Sequence, residues 1–268
     1  MSLRSIVRSL VPAVVLWGCA TPPPTQTPEP APAPEPAQEE TPEPTETLPL
    51  PEAEAVLEKA VQAVGGRTLI DAVESYYLES VMQVPAQNLT ASSKLWWHEG
   101  RFHAVTEMPG VGVTRVWGDD TTIWAEDPIN GRRKVEGVEA HQTRWGNAIV
   151  LAADWKRYFS AARTQTRRET QDGVLIDVVL TADNGDEVVL SFDETSGLLR
   201  EQHFKQASPM GAMPVRLEYH EYQELSGLLV PMRAVMDLGV MTAETKLRKL
   251  QTNIAIADDL LRPEGAAQ

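Results

Sequence analysis

The sequence predicts a mainly β fold with some α: a curved antiparallel half-barrel of about eleven strands covered by helices. Three observations predict it. Apolar residues alternate along short runs, as at Val174, Ile176, Val178 and Leu180, then at Val188, Leu190 and Phe192. That period of two puts one face of each strand on a core. Asp172-Gly173, Asn184-Gly185 and Ser226-Gly227 punctuate the runs with residue pairs that tolerate the positive φ of tight hairpins. Such runs occupy most of the chain from Tyr76 to about Ala255, and an antiparallel sheet of that extent twists and curls toward closure.

Residues 1–19 read as a secretion signal. Arg4 and Arg8 give a positive start, and an apolar run from Leu10 to Gly18 is broken only by Pro12. A bilayer span takes roughly 20 apolar residues, so this run is a signal core instead. It ends at Leu16-Trp17-Gly18-Cys19, which resembles a bacterial lipobox, with Trp17 departing from the small residue usual there. The expectation is a diacylglyceryl group on Cys19, the single cysteine of the chain, and anchoring to a membrane by its acyl chains. The competing reading, a buried cysteine, lacks a core to join because Ala20 to Pro51 follow. That stretch holds 12 of the 20 prolines with Ala, Thr, Glu and Gln between them and no aromatic residue. It cannot bury enough apolar surface to fold, and proline biases it toward extended polyproline II, so residues 20–51 are expected to form a disordered tether.

The folded domain is expected to span 52–268. Ala53, Val56, Leu57, Ala60, Val61 and Val64 recur at helical spacing, and Gly65-Gly66 stops that helix. A short turn, Thr68 to Val73, precedes the strands. Tyr76, Leu78, Ser80, Met82 and Val84 share one face of the first, and Leu89, Ala91, Ser93, Leu95 and Trp97 one face of the second. Glu99-Gly100 and Pro109-Gly110 turn the chain into Phe102–Met108 and Val111–Trp117, and Thr121–Ala125 follows. From Gly137 to about Tyr158 the alternation gives way to helical spacing of Ala140, Trp145, Ile149, Leu151, Ala152, Trp155 and Phe159. This insertion divides the strands into two sets. They resume at Ala162, and Asp258, Leu260 and Leu261 close with a short turn.

Net charge is −14. Phosphate binding needs a basic surface, so nucleic acid is excluded as a partner, and spontaneous adhesion to anionic lipid is disfavoured. No nucleophile elbow, phosphate loop or dinucleotide fingerprint occurs, so no enzyme activity, cofactor or metal is expected. His220-Glu221 begins like a zinc motif, but Glu224 stands where the second histidine belongs. His98 and His103 flank a hairpin turn; their odd spacing predicts opposite faces and surface positions. Asp119-Asp120 and Asp258-Asp259 read as turn and cap residues.

Six tryptophans (Trp96, Trp97, Trp117, Trp124, Trp145, Trp155) and seven methionines fall in the domain. Such side chains either line an adaptable apolar pocket or fill a core. A packed small barrel favours Val, Ile and Leu, so a pocket is the working expectation. Its expected lining is Leu78, Met82, Leu95, Trp97, Phe102, Trp117, Trp124, Val178, Leu190, Leu217, Met232 and Met236. Met210 and Met213 lie in the apolar loop Ser208–Pro214, either a lid over that pocket or a hairpin loop folded back on the core.

Several local patterns together resemble one known family. Ala63-Val64-Gly65-Gly66-Arg67 followed by Ala72-Val73-Glu74-Ser75 looks like its passage from helix to first strand. Met108-Pro109-Gly110-Val111-Gly112, and Gly118-Asp119 leading to Trp124, look like its third to fifth strands. Phe192 to Leu199 looks like its central hairpin, and Ser208-Pro209-Met210-Gly211 with Leu229-Val230-Pro231-Met232-Arg233 like its late strands. The chain thus resembles, over about residues 55–262, the outer-membrane lipoprotein-sorting proteins of the LolA/LolB-like fold. The resemblance implies a curved sheet with helices over its hollow, acyl chains of lipoproteins or lipids held between them, no catalysis and no metal. The lipobox looks like that of the membrane-bound receptor branch. It implies a lipid-anchored protein on the periplasmic side of a bacterial outer membrane, with a periplasmic carrier protein as a candidate partner and a role in lipoprotein sorting. A structural or signalling lipoprotein whose outer face meets a protein partner is the alternative.

Overall fold

A computed structural model describes residues 49–209 and 211–262. The signal segment 1–19 with Cys19, the tether as far as residue 48 and Met210 lie outside the described residues. The first helix, α1 (Ala53–Ala63), runs where the periodicity placed it, burying Leu57 and Val61 and ending at the glycine pair. Gly66, at φ +84°, donates its N–H to Val61 O at 2.9 Å, a left-handed close that glycine adopts without steric cost. A one-turn α2 (Arg67–Asp71) follows.

Thirteen strands, not eleven, form one antiparallel sheet among the described residues. They are β1 (Ser75–Val84), β2 (Leu89–His98), β3 (Arg101–Met108), β4 (Gly112–Gly118), β5 (Ile123–Asp127) and β6 (Gly131–Val135), then β7 (Ala161–Thr170), β8 (Gly173–Thr181), β9 (Glu187–Asp193), β10 (Leu199–Gln206), β11 (Met213–Leu225), β12 (Leu228–Asp237) and β13 (Thr242–Thr252). β6, Gly-Arg-Arg-Lys-Val, is absent from the expected strands because a charged strand carries no apolar alternation. The charge has a use: β6 and β7 are the sheet's two edges, and Arg and Lys on an edge discourage pairing with another chain. The helical insertion is two helices, α3 (Gly137–Gly146) and α4 (Leu151–Tyr158), and α5 (Asp258–Leu261) is the closing turn.

The order across the sheet is β6-β5-β4-β3-β2-β1-β13-β12-β11-β10-β9-β8-β7. Each strand neighbours the next in sequence except β6, and one pairing joins the first strand to the last. β1 pairs with β13 in the middle, Tyr76 opposite Thr252 and Leu78 opposite Leu250. The chain passes from edge β6 to edge β7 through α3 and α4.

That crossover forces the sheet to curl. Ala140 of α3 belongs to a buried cluster with Phe102, Ile123, Ala125 and Val135 from β3, β5 and β6. Trp145 of the same helix meets Phe204 of β10 edge-on at 5.2 Å. From Ala140 to Trp145 is about 7.5 Å of helix. In a flat sheet β5 and β10 would stand about 38 Å apart, at about 4.8 Å per strand. One short helix touches both only because the sheet bends around it.

Alternation gives the strands two different faces. The inner face of β8–β10 buries Val178, Leu180, Val188 and Leu190 against Leu57 and Val61 of α1. Each such side chain contributes about 1.5–3 kcal/mol by leaving water. The outer face of the same strands is ionic. Arg168 bridges Asp177 at 3.1 Å and Glu201 at 2.7 Å, and Arg216 reaches Glu201 at 3.1 Å. On the other half of the sheet α5 covers the outer face, where Leu260 O takes a hydrogen bond from His103 Nδ1 at 2.7 Å.

One glycine fixes the β4–β5 hairpin. A Cβ on Gly118 would stand 2.2 Å from Thr122 O and 2.8 Å from Ile123 Cα. Both obstacles are backbone and cannot rotate away. Gly118→Ala is expected to lower stability by about 3 kcal/mol, the upper end for overpacking a tight site. Urea unfolding would measure it, and an unchanged midpoint would contradict this close approach.

Candidate functional site

The inner face carries the candidate site, a hollow of about 380 Å³ between the α3–α4 segment and strands β9–β12. Its walls are apolar: Trp145, Ile149 and Leu151 from the helices, and Leu190, Phe204 and Leu217 from the sheet. Val64, at the end of α1, closes one side. Val64 O accepts the Leu229 N–H at 3.0 Å, which ties that helix end to β12. Polar groups at the wall are satisfied by one another. Tyr219 donates to Gln202 Oε1 at 2.9 Å and Tyr222 to Leu199 O at 2.5 Å. Burial pushes both phenol pKa values up, so both stay neutral.

A buried polar cluster holds the helical wall in place. Asp186, only 6% exposed, sits in the β8–β9 turn. It accepts from His141 Nδ1 at 2.8 Å, Gln142 Nε2 at 2.9 Å and Trp145 Nε1 at 3.0 Å, all on α3. His141 Nε2 lies 2.8 Å from Tyr158 O at the end of α4. An imidazole that donates from both nitrogens is an imidazolium. The hydrogen bond to Asp186 raises the His141 pKa, while burial works against it. Burial pushes the Asp186 carboxyl up, but the bonds from His141, Trp145 and Gln142 outweigh it and hold the carboxyl below its usual value.

The twelve residues expected to line a pocket are dispersed. Leu190 and Leu217 border the hollow. Val178 is sealed beneath it at 0% exposure, and Phe102 packs with Leu95 and Trp97 in the second buried cluster. Leu78, Met82, Met232 and Met236 lie half-buried on the central strands. The register puts them on the same inner face, where they extend the apolar floor away from the helices. Met213 begins β11, half-buried, and Met210 is outside the described residues. Trp117 and Trp124 require a correction. Phe102 faces inward opposite Gly118, so Trp117, opposite His103, and its partner Trp124 face outward. There the Arg132 guanidinium carbon lies over both rings, 5.2 and 5.1 Å from their centroids. Period two in sequence shows that a face exists and not which one it is.

The histidine expectation also changes. Trp96 opposite His103 and His98 opposite Arg101 put both histidines on one face. His103 is buried, and burial lowers its pKa. Among the described residues no group of three or more His, Cys, Asp or Glu side chains is placed to hold a metal, and no helix is long and apolar enough to cross a membrane.

An open antiparallel sheet of thirteen strands, curled around helices that cover part of its inner face, defines a hollow-forming β protein. Solved structures of the same architecture include a LolA superfamily protein from Nitrosomonas europaea, at 11% identity and a TM-score of 0.55, covering 80% of this chain and 99% of that one. A DUF1329 family protein from Desulfovibrio piger matches at 12% identity and a TM-score of 0.54, covering 81% and 99%. At these identities the likeness concerns the fold, and the fold is LolA-like. No family model and no curated protein matches the sequence.

Proposed function

We propose that this protein binds acyl chains of lipids or lipoproteins in the inner hollow, as a non-enzymatic carrier or receptor held at a membrane on the periplasmic side. Cys19 would supply the anchor and the proline-rich stretch the tether, consistent with a place in lipoprotein sorting at the outer membrane. The observation that carries the reading is the hollow itself. At about 380 Å³ it falls at the lower end of ligand sites, which run from about 300 to 1,000 Å³ with mainly apolar walls and few polar groups. Half-buried Leu78, Met82, Met232 and Met236 give a longer chain somewhere to continue.

Uptake of the dye 1-N-phenylnaphthylamine, and its displacement by palmitate, tests the reading. The native protein should bind the dye, and palmitate should release it. Leu217→Trp, which fills the hollow from β11, should weaken both at least 10-fold. A protein that takes up no dye, or a variant that binds as well as the native chain, would refute the reading.

A further inference from the structure

We infer that the hollow has a polar annex, and that the preferred ligands are amphiphiles whose uncharged, hydroxyl-bearing end occupies it. This rests on the acyl-binding reading and narrows it to one class of ligand. The annex has a volume of about 240 Å³. Ala148 and Ile149, in the link between α3 and α4, border both the annex and the apolar hollow. On this inference one molecule buries its chain on one side of that link and its polar end on the other.

The groups in the annex select the chemistry of that end. Tyr76 lines the annex and donates its hydroxyl to the backbone oxygen of Asn147 at 2.5 Å, and Asn147 itself borders the same space. Its Nδ2 is buried and has no hydrogen-bond partner. An unmet buried amide costs roughly 1–3 kcal/mol, so the position favours an oxygen acceptor. The Asp154 carboxyl, also on the wall, offers acceptors. Burial raises its pKa, with the Arg157 charge opposing. A hydroxyl both donates and accepts, and so answers both groups at once. Tyr76 and Trp97 stack at 5.4 Å and 13° and present a flat apolar wall to carbon-bound hydrogens. An anionic head is disfavoured: Asp71 and Asp154 both border the annex, and the Arg157 guanidinium is already paired with Asp120.

The test compares two ligands with one chain length, 1-monopalmitoylglycerol and palmitate, as dye competitors on the full chain at pH 7.5. The glycerol ester should displace the dye at a concentration at least 10-fold lower. Asp154→Ala and Asn147→Leu should each shrink that preference to about 2-fold or less, with folding followed by thermal melting. Equal displacement by the two ligands would overturn the inference and leave acyl binding standing. A preference that survives both substitutions would also overturn it, by placing the head elsewhere. If neither ligand displaces the dye, the acyl-binding reading fails and this inference with it. The native comparison needs no variant, so a substitution that fails to fold does not shield the claim.

Discussion

Replacing Asp186 with alanine is expected to cost about 3–5 kcal/mol, the range for removing one partner from a buried ion pair. The loss exceeds one hydrogen bond because three donors of α3 converge on that carboxylate, and His141 would lose its counter-ion. The pair also predicts a pH profile. His141, raised above its ordinary 6.5, adds stability that is complete below about pH 6.5 and fades as the pH climbs through its raised value. Asp186, lowered below its ordinary 3.8, adds stability present above about pH 3.8 and lost as the pH falls through its lowered value. The melting temperature of the native chain minus that of the Asp186→Ala chain should thus be largest between about pH 4 and 6.5 and shrink on both sides. A difference flat from pH 4 to 9 would mean that His141 is not held charged.

Trp145→Ala should be comparably severe, about 3–5 kcal/mol for an aromatic lost from a core. Trp145 is 4% exposed and packs on Phe159 and Phe204. In a domain of this size that is a fall of about 10 °C in melting temperature. Because Trp145 also donates to Asp186, the two losses should not add. The double variant is expected to fall short of their sum by about 1 kcal/mol or more, as contacting residues do. Strict additivity in urea unfolding would separate the indole from the cluster.

What could be read from the residues alone follows from how far each signal reaches along the chain. Strands β8 and β9 announce themselves through Val174 to Phe192 because alternation and glycine turns are local. The first helix is equally plain, since its apolar stripe and its glycine stop lie within fourteen residues of one another. β6 escapes because an edge strand needs charge where a central strand needs Val or Ile. Leu190 and Leu217 could be placed near a hollow by their strand face, whereas the outward turn of Trp117 and Trp124 depends on pairing register. Ile149, Asn147 and Asp154 gave no sign of lining anything, because their neighbours Tyr76, Trp97 and Phe204 come from strands that only the curl brings close. The Asp186 cluster was invisible for the same reason: His141 and Asp186 lie 45 residues apart.

The seam between β1 and β13 has a consequence for folding. Residues 75–135 and 161–237 can each zip into a ribbon without the rest of the chain, since each strand pairs with the one just before it. The two ribbons become one sheet only when β13, residues 242–252, slots between β1 and β12. Until then both flanks of the gap offer unpaired backbone, and closure must wait for contacts distant in sequence, which are slow to form. A chain truncated before Thr242 should therefore aggregate more readily than the full chain, which light scattering would measure.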